Sequence, residues 1–305
     1  MANNADNDLI MALGKVIIAA AWADGDITLD EVNSLKDLLW RLPEVHARQW
    51  EQFDIYLDSP VGAAERERLV ADLRARITTP AERELALAKL DEMVSADGAV
   101  SEREQAVVAE VRAALETGEV GRWGSLSRML IGRRTQAVAS SAPNREADLD
   151  DFVRNHVYYK MRQQLASRNI VWNISDAELR RLGLAGGLLA LVAQRSEGVT
   201  DEERAAMAAV LQAAWGLSPE SAGFVVEVAL ADGERLDFYR LVREFSEVTT
   251  QEERQRFLDA LFTVAAADNK ASFDETEQIR LIAQGLKLSH AEFIDAKLKV
   301  PREKR

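Results

Sequence analysis

One stretch of this 305-residue chain is written twice. Ile77-Thr78-Thr79-Pro80-Ala81-Glu82-Arg83 matches Val248-Thr249-Thr250-Gln251-Glu252-Glu253-Arg254 at an offset of 171. The register holds without a gap through Leu87/Leu258, Leu90/Leu261, Ala96/Ala267, Asp97/Asp268, Ser101/Ser272 and Glu104/Glu275. Apolar, hydroxyl and charged positions all keep step, so the chain carries two copies of one module. At 47% hydrophobic residues it has enough apolar side chains for two cores.

A shorter unit recurs inside each module. Ala23-Asp24-Gly25-Asp26-Ile27-Thr28-Leu29-Asp30-Glu31 resembles Ala96-Asp97-Gly98-Ala99-Val100-Ser101-Glu102-Arg103-Glu104, giving the pattern A-D-G-x-[I/V]-[T/S]-x-x-E. The second module keeps Ala267-Asp268-Asn269 through Ser272 to Glu275. Its early copy, Glu197-Gly198-Val199-Thr200 to Glu203, is one residue shorter and has Glu for Asp. The second module has diverged.

The segments flanking these loops read as helices. Leu87, Leu90, Met93 and Val94 recur at helical spacing, as do Val107, Val108, Val111 and Leu115. Thr28/Glu31, Ser101/Glu104, Ser175/Glu178, Thr200/Glu203, Ser272/Glu275 and Ser289/Glu292 fit the S/T-x-x-E capping box that opens a helix. Trp215-Gly216-Leu217-Ser218-Pro219 closes one helix at glycine and opens another at serine and proline. Ile170 to Ile174 is the one candidate strand, and the reading is all-α: two helical bundles joined by a basic linker and an extra helix.

Charge divides the chain in the same way. Residues 1–119 hold 24 acidic and 12 basic side chains, residues 120–172 hold 4 and 9, and residues 173–305 hold 23 and 17. The basic stretch also carries Gly118, Gly121, Gly124, Gly132 and Ser140-Ser141-Ala142-Pro143-Asn144, as a linker would. The expected domains are therefore 7–118, a linker with an amphipathic helix at 119–181, and 182–300.

Composition also excludes several functions. There is no cysteine, which removes disulfides, thiolate metal sites and thiol nucleophiles. The net charge of −13 argues against nucleic acid, whose binding requires a basic face. No G-x-S-x-G elbow, Walker A loop or H-E-x-x-H motif occurs, and Gly183-Leu184-Ala185-Gly186-Gly187 follows no strand, so it reads as close helix packing. The chain reads as no enzyme. Leu9 to Ala23 is too short to span a bilayer and lacks the preceding positive charge of a secretory signal, so it reads as a core helix in a cytoplasmic protein.

The repeated loop matches the back half of a calcium loop. With Gly25 at the invariant glycine, Asp24 and Glu31 take ligand places, but Ala20 and Trp22 stand where the first oxygens belong. One loop alone cannot supply six to eight oxygens, whereas two packed together would pool Asp24, Glu31, Asp97 and Glu104. The bland reading needs no metal: Asp-Gly turns, Ile or Val plugs the core, and Thr or Ser caps the next helix with its Glu.

These paired loops, about seventy residues apart in an all-helical block, resemble the tellurite-resistance TerB-like domain. Leu217-Ser218-Pro219-Glu220 and Ala231-Asp232-Gly233 extend the likeness into the second module. The resemblance implies about seven helices per bundle, no enzymatic activity and membership of a bacterial stress system. It also implies links to a divalent cation (Ca, Mn or Zn) and to membrane-associated complexes. Its metal residues would be Asp24, Glu31, Asp97 and Glu104, with Asp268 and Glu275 as diverged counterparts. The partners expected are other stress-system or membrane-associated proteins, with oligomeric state left open.

The middle segment suggests a second surface. Arg122, Trp123, Arg128, Arg133 and Arg134 lie in a run without an acid, suited to a partner or an anionic membrane surface. A metal-free adaptor docking through this segment is the alternative function. Alternatively, its arginines pack back against the acidic modules. Beyond it, Leu149, Phe152, Val153, His156, Val157 and Met161 mark an amphipathic helix, with His156 read as a core histidine.

Overall fold

The structure, a computed structural model, describes residues 2–22, 27–40, 45–95, 108–109, 111–113, 115–116, 144–195, 198–268 and 271–304. It is all-α, with no strand among the described residues, and divides into two compact units, Met1–Leu149 and Asp150–Arg305. No described helix is long and apolar enough to cross a membrane.

Unit 1 is built around helix α1 (Ala2–Ala21), buried at every position from Leu9 to Ala20. A helix that is apolar on all sides belongs inside a bundle. Helices α3 (Ala47–Leu57), α4 (Ala63–Arg76) and α5 (Pro80–Ser95) surround it, and α2 (Leu29–Trp40) rests on α5. Gly14 permits the approach of α3, since a Cβ there would lie 2.6 Å from Phe53. Val108, Val111 and Leu115 bury a further helical stripe.

A buried ion pair closes this unit. Arg145 opens a short 3-10 turn, Arg145–Asp148, and its guanidinium donates to both oxygens of Glu65 at 2.9 and 2.7 Å. Its remaining donors reach the carbonyls of Ile55, Ser59 and Pro60 at 3.0 Å each. Both side chains are almost wholly buried, at 7% and 1% exposure. Next to them Glu146 accepts from Lys15 Nζ at 2.8 Å and from the Tyr56 hydroxyl at 2.7 Å. Burial, then Glu146, pushes the Tyr56 hydroxyl far above its usual range. Arg145 thus packs inside unit 1.

Unit 2 repeats the plan around another central helix. Helices α6 (Leu149–Arg154) and α7 (His156–Ser167) lead through the irregular segment 168–175 into α8 (Asp176–Ala193), buried continuously from Leu182 to Ala193. Around α8 stand α7, α9 (Asp201–Trp215), α10 (Pro219–Ala231), α11 (Phe238–Glu247), α12 (Gln251–Ala265) and α13 (Phe273–Gly285), while α14 (His290–Lys299) rests on α12. Ile170 to Ile174 forms no strand; Trp172 there meets Phe224 edge-on at 5.4 Å. The glycine run in α8 marks close packing. A Cβ at Gly183 would lie 2.7 Å from the Tyr158 backbone nitrogen.

The repeat is visible at single hydrogen bonds. Glu82 Oε2 accepts from Thr79 N and Glu253 Oε2 from Thr250 N, both at 2.7 Å. Leu90 and Leu261, one repeat apart, are both 0% exposed.

Candidate functional site

In unit 2 the central helix α8 and helix α12 each run into a loop that restarts the chain as a new helix. Thr200 caps α9 and Ser272 caps α13, each accepting from the backbone of the Glu three residues on, at 3.2 and 3.1 Å. Glu203 and Glu275 answer with Oε2, which accepts from the cap backbone at 2.7 and 2.8 Å. The same box leaves Glu178 exposed at the start of α8, so the burial of Glu203 and Glu275 comes from the helices packed over them.

The two glutamates point at one another. Glu203 is 1% exposed and Glu275 is 3% exposed, and Glu203 is close enough to act on the Glu275 carboxyl. Burial, the largest cause, and contact with Glu203 together raise Glu275 above its ordinary value near 4.5, against the lowering effect of Ser272. The glutamates ending the two repeated loops of this module thus form one buried pair.

Asp268 lies half-buried in the turn after α12 and does not join the pair at metal-ligating distance. In unit 1, Glu31 is in the first turn of α2, where Val32 N donates to Thr28 O at 2.9 Å. Asp24, Asp97 and Glu104 lie outside the described residues, as do Arg122, Trp123, Arg128, Arg133 and Arg134.

Two further charged groupings sit away from the pair. His156 turns Nδ1 to the carboxylate of Asp232, itself 6% exposed, and meets the Phe152 ring edge-on at 4.7 Å. A cleft of about 570 Å³ has Trp215, Phe245 and Phe257 among its lining, with the Arg181–Glu253 ion pair at its side. The Thr250 backbone N–H, with help from Arg181, holds Glu253 down to about 2.

Whether a divalent cation fits unit 2 depends on its oxygens. Each glutamate commits Oε2 to its own helix cap, leaving one oxygen apiece, and among the described residues Asp268 forms no metal-ligating group with them. Two oxygens fall well short of the six to eight that calcium takes.

Glu203, the end of the shortened early loop, is not among the metal residues that the family resemblance implies, yet it is the partner of Glu275. The signal that finds it is the repeat itself, which places Glu203 at the loop position of Glu31. No sequence signal pairs Glu65 with Arg145, eighty residues away.

Comparison with known proteins completes the description. The model of the family described as "Tellurite resistance protein TerB" matches twice, over residues 10–122 and 183–298. No curated protein and no solved structure matches the chain.

Proposed function

Starting from the chain's membership of the tellurite resistance protein TerB family, which its two matched regions establish, we propose that it is a non-catalytic, tellurite-resistance-like stress protein whose first module binds a divalent cation. Asp24, Glu31, Asp97 and Glu104 are the residues assigned to hold it. The observation behind this reading is the meeting of Glu203 and Glu275 in the second module. Glu275 is Glu104 one repeat later, and Glu203 is the counterpart of Glu31. By that repeat the reading assigns Glu31 and Glu104 to one site, with Asp24 and Asp97 from the same two loops, where the second module has Glu197 and Asp268. Four carboxylates provide both the charge and the ligand number that a hard cation prefers.

On this reading the second module, with Asp268 and Glu275, is the diverged copy and works chiefly as a scaffold. The protein acts in the cytoplasm, and the basic segment around Arg122, Trp123, Arg128, Arg133 and Arg134 is where partners of the stress system or an anionic membrane dock.

Titration calorimetry of the full chain with calcium, manganese and zinc tests the cation. Wild type is expected to give saturable heat near one ion per chain, and Asp24→Asn/Asp97→Asn to lose it, while Glu275→Gln keeps it. No heat from wild type, or equal heat from the double variant, removes the cation from the proposal.

A further inference from the structure

A different surface of unit 1 carries a second, independent site. Helix α2 buries Leu35, Leu38 and Leu39 and turns Lys36, Asp37 and Trp40 to the outside. Trp40 is 74% exposed, although tryptophan is highly buried on average in folded proteins. Its ring lies 5.3 Å from that of Trp50 on α3 at an angle of 36°, and Trp50 meets the fully buried Phe53 edge-on at 5.7 Å. An aromatic ladder therefore runs from the core to an open indole face.

Each tryptophan has a carboxylate on its own helix face. Asp37 precedes Trp40 by three residues and Asp54 follows Trp50 by four, spacings that place side chains together on a helix. With Lys36 these residues line a notch of about 310 Å³. Lys36 already pairs with Asp54 at 3.2 Å, whereas Asp37 makes no ion pair among the described residues. The notch thus presents an exposed indole face beside a carboxylate that makes no ion pair among the described residues.

We propose that this notch docks an arginine side chain of a basic segment on a partner protein. The rings stand too close for a cation to enter between them, so a ligand stacks on the outer face of Trp40. A guanidinium suits that arrangement because it is planar and weakly hydrated, stacks on indole and forks onto a carboxylate. A lysine ammonium holds its water more tightly, and a quaternary ammonium has no N–H for Asp37. The surrounding charge fits the partner: residues 1–119 hold 24 acidic and 12 basic side chains, a field that attracts basic segments.

The test measures binding of a labelled hexa-arginine peptide, with hexa-lysine, tetramethylammonium and phosphatidylcholine vesicles as comparisons. Trp40→Leu keeps apolar bulk without the indole, Asp37→Asn removes the charge, and Glu84→Gln, outside the notch lining, is the charge control. The expected result is a loss of about fivefold for arginine peptide in Trp40→Leu and in Asp37→Asn, none in Glu84→Gln, and helicity unchanged by circular dichroism. Hexa-lysine should bind more weakly and ignore Trp40→Leu. Full affinity in folded Trp40→Leu overturns the proposal, as does equal response by hexa-lysine. Binding of tetramethylammonium or the vesicles through Trp40 overturns it too. Arginine-peptide binding that appears only when Arg122, Arg128, Arg133 and Arg134 are replaced by Gln would assign the notch to the chain's own segment and overturn the external partner.

Discussion

The two units bury carboxylates in opposite ways. Unit 1 buries Glu65 against a guanidinium fixed by three backbone carbonyls, while unit 2 buries Glu203 against another acid, Glu275. The first arrangement carries its own countercharge and is independent of the solution. The second lacks one, so its stability follows whatever neutralises it. One fold can therefore hold a buried acid either as a permanent clamp or as a responsive pair, and the choice depends on whether a cationic side chain reaches it.

The largest expected effect breaks the clamp. Arg145→Ala leaves Glu65 charged, buried and alone, which should cost unit 1 about 3–5 kcal/mol. Hydrogen exchange resolved by peptide should show unit 1 losing protection while unit 2 keeps its own. A loss confined to surface-pair size, below about 1 kcal/mol, would mean that water reaches Glu65.

Gly183→Ala attacks the central helix of unit 2 instead. The added methyl would press on the Tyr158 backbone nitrogen at 2.7 Å and on Asn155 Oδ1 at 2.8 Å. Overpacking of this kind should cost about 1–3 kcal/mol in urea denaturation. An unchanged midpoint would show that α7 slides aside.

Removing a cap should cost less. Thr200→Ala and Ser272→Ala should each lose about 1 kcal/mol and also free the orientation of the glutamate behind it. If the pair is coupled, the double variant should lose less than the sum of the singles. Strict additivity would separate the caps from the pair.

The smallest effect at neutral pH, and the most specific, concerns Glu275. Its folded value is raised, so the stability it contributes is full below its unfolded value near 4.5 and is lost as pH rises through the folded value. Glu275→Gln does not titrate and keeps a donor toward Glu203. The variant should therefore gain on wild type as pH rises from 5 to 8. Parallel curves would indicate that the pair is solvated. Glu253 runs the other way: held down to about 2, it stabilises above its unfolded value and is lost only as pH falls through about 2.

Much of this was legible residue by residue. The boxes at Ser175, Thr200, Ser272 and Ser289 formed as their spacing predicts, because a helix start is decided within four residues. Gly216 closes α9 in the left-handed region at φ +65°, and Pro219 opens α10, equally local events. Leu9 to Ala20 went inside because no stripe of it is polar. The candidate site was half legible: the repeat identified the glutamates, but periodicity cannot say which two helix starts share a core.

The sequence alone determined that this chain is helical, that it is made twice, and where its helices begin. Those properties follow from short-range hydrogen bonding and from periodicity along a single strand of text. Tertiary structure alone decided that Arg145 closes on Glu65, that Glu203 meets Glu275, and that Trp40 is left facing water on a ladder anchored by Phe53. Each of these joins separate helices, and the energy of a buried charge or an exposed ring depends on what packing brings beside it.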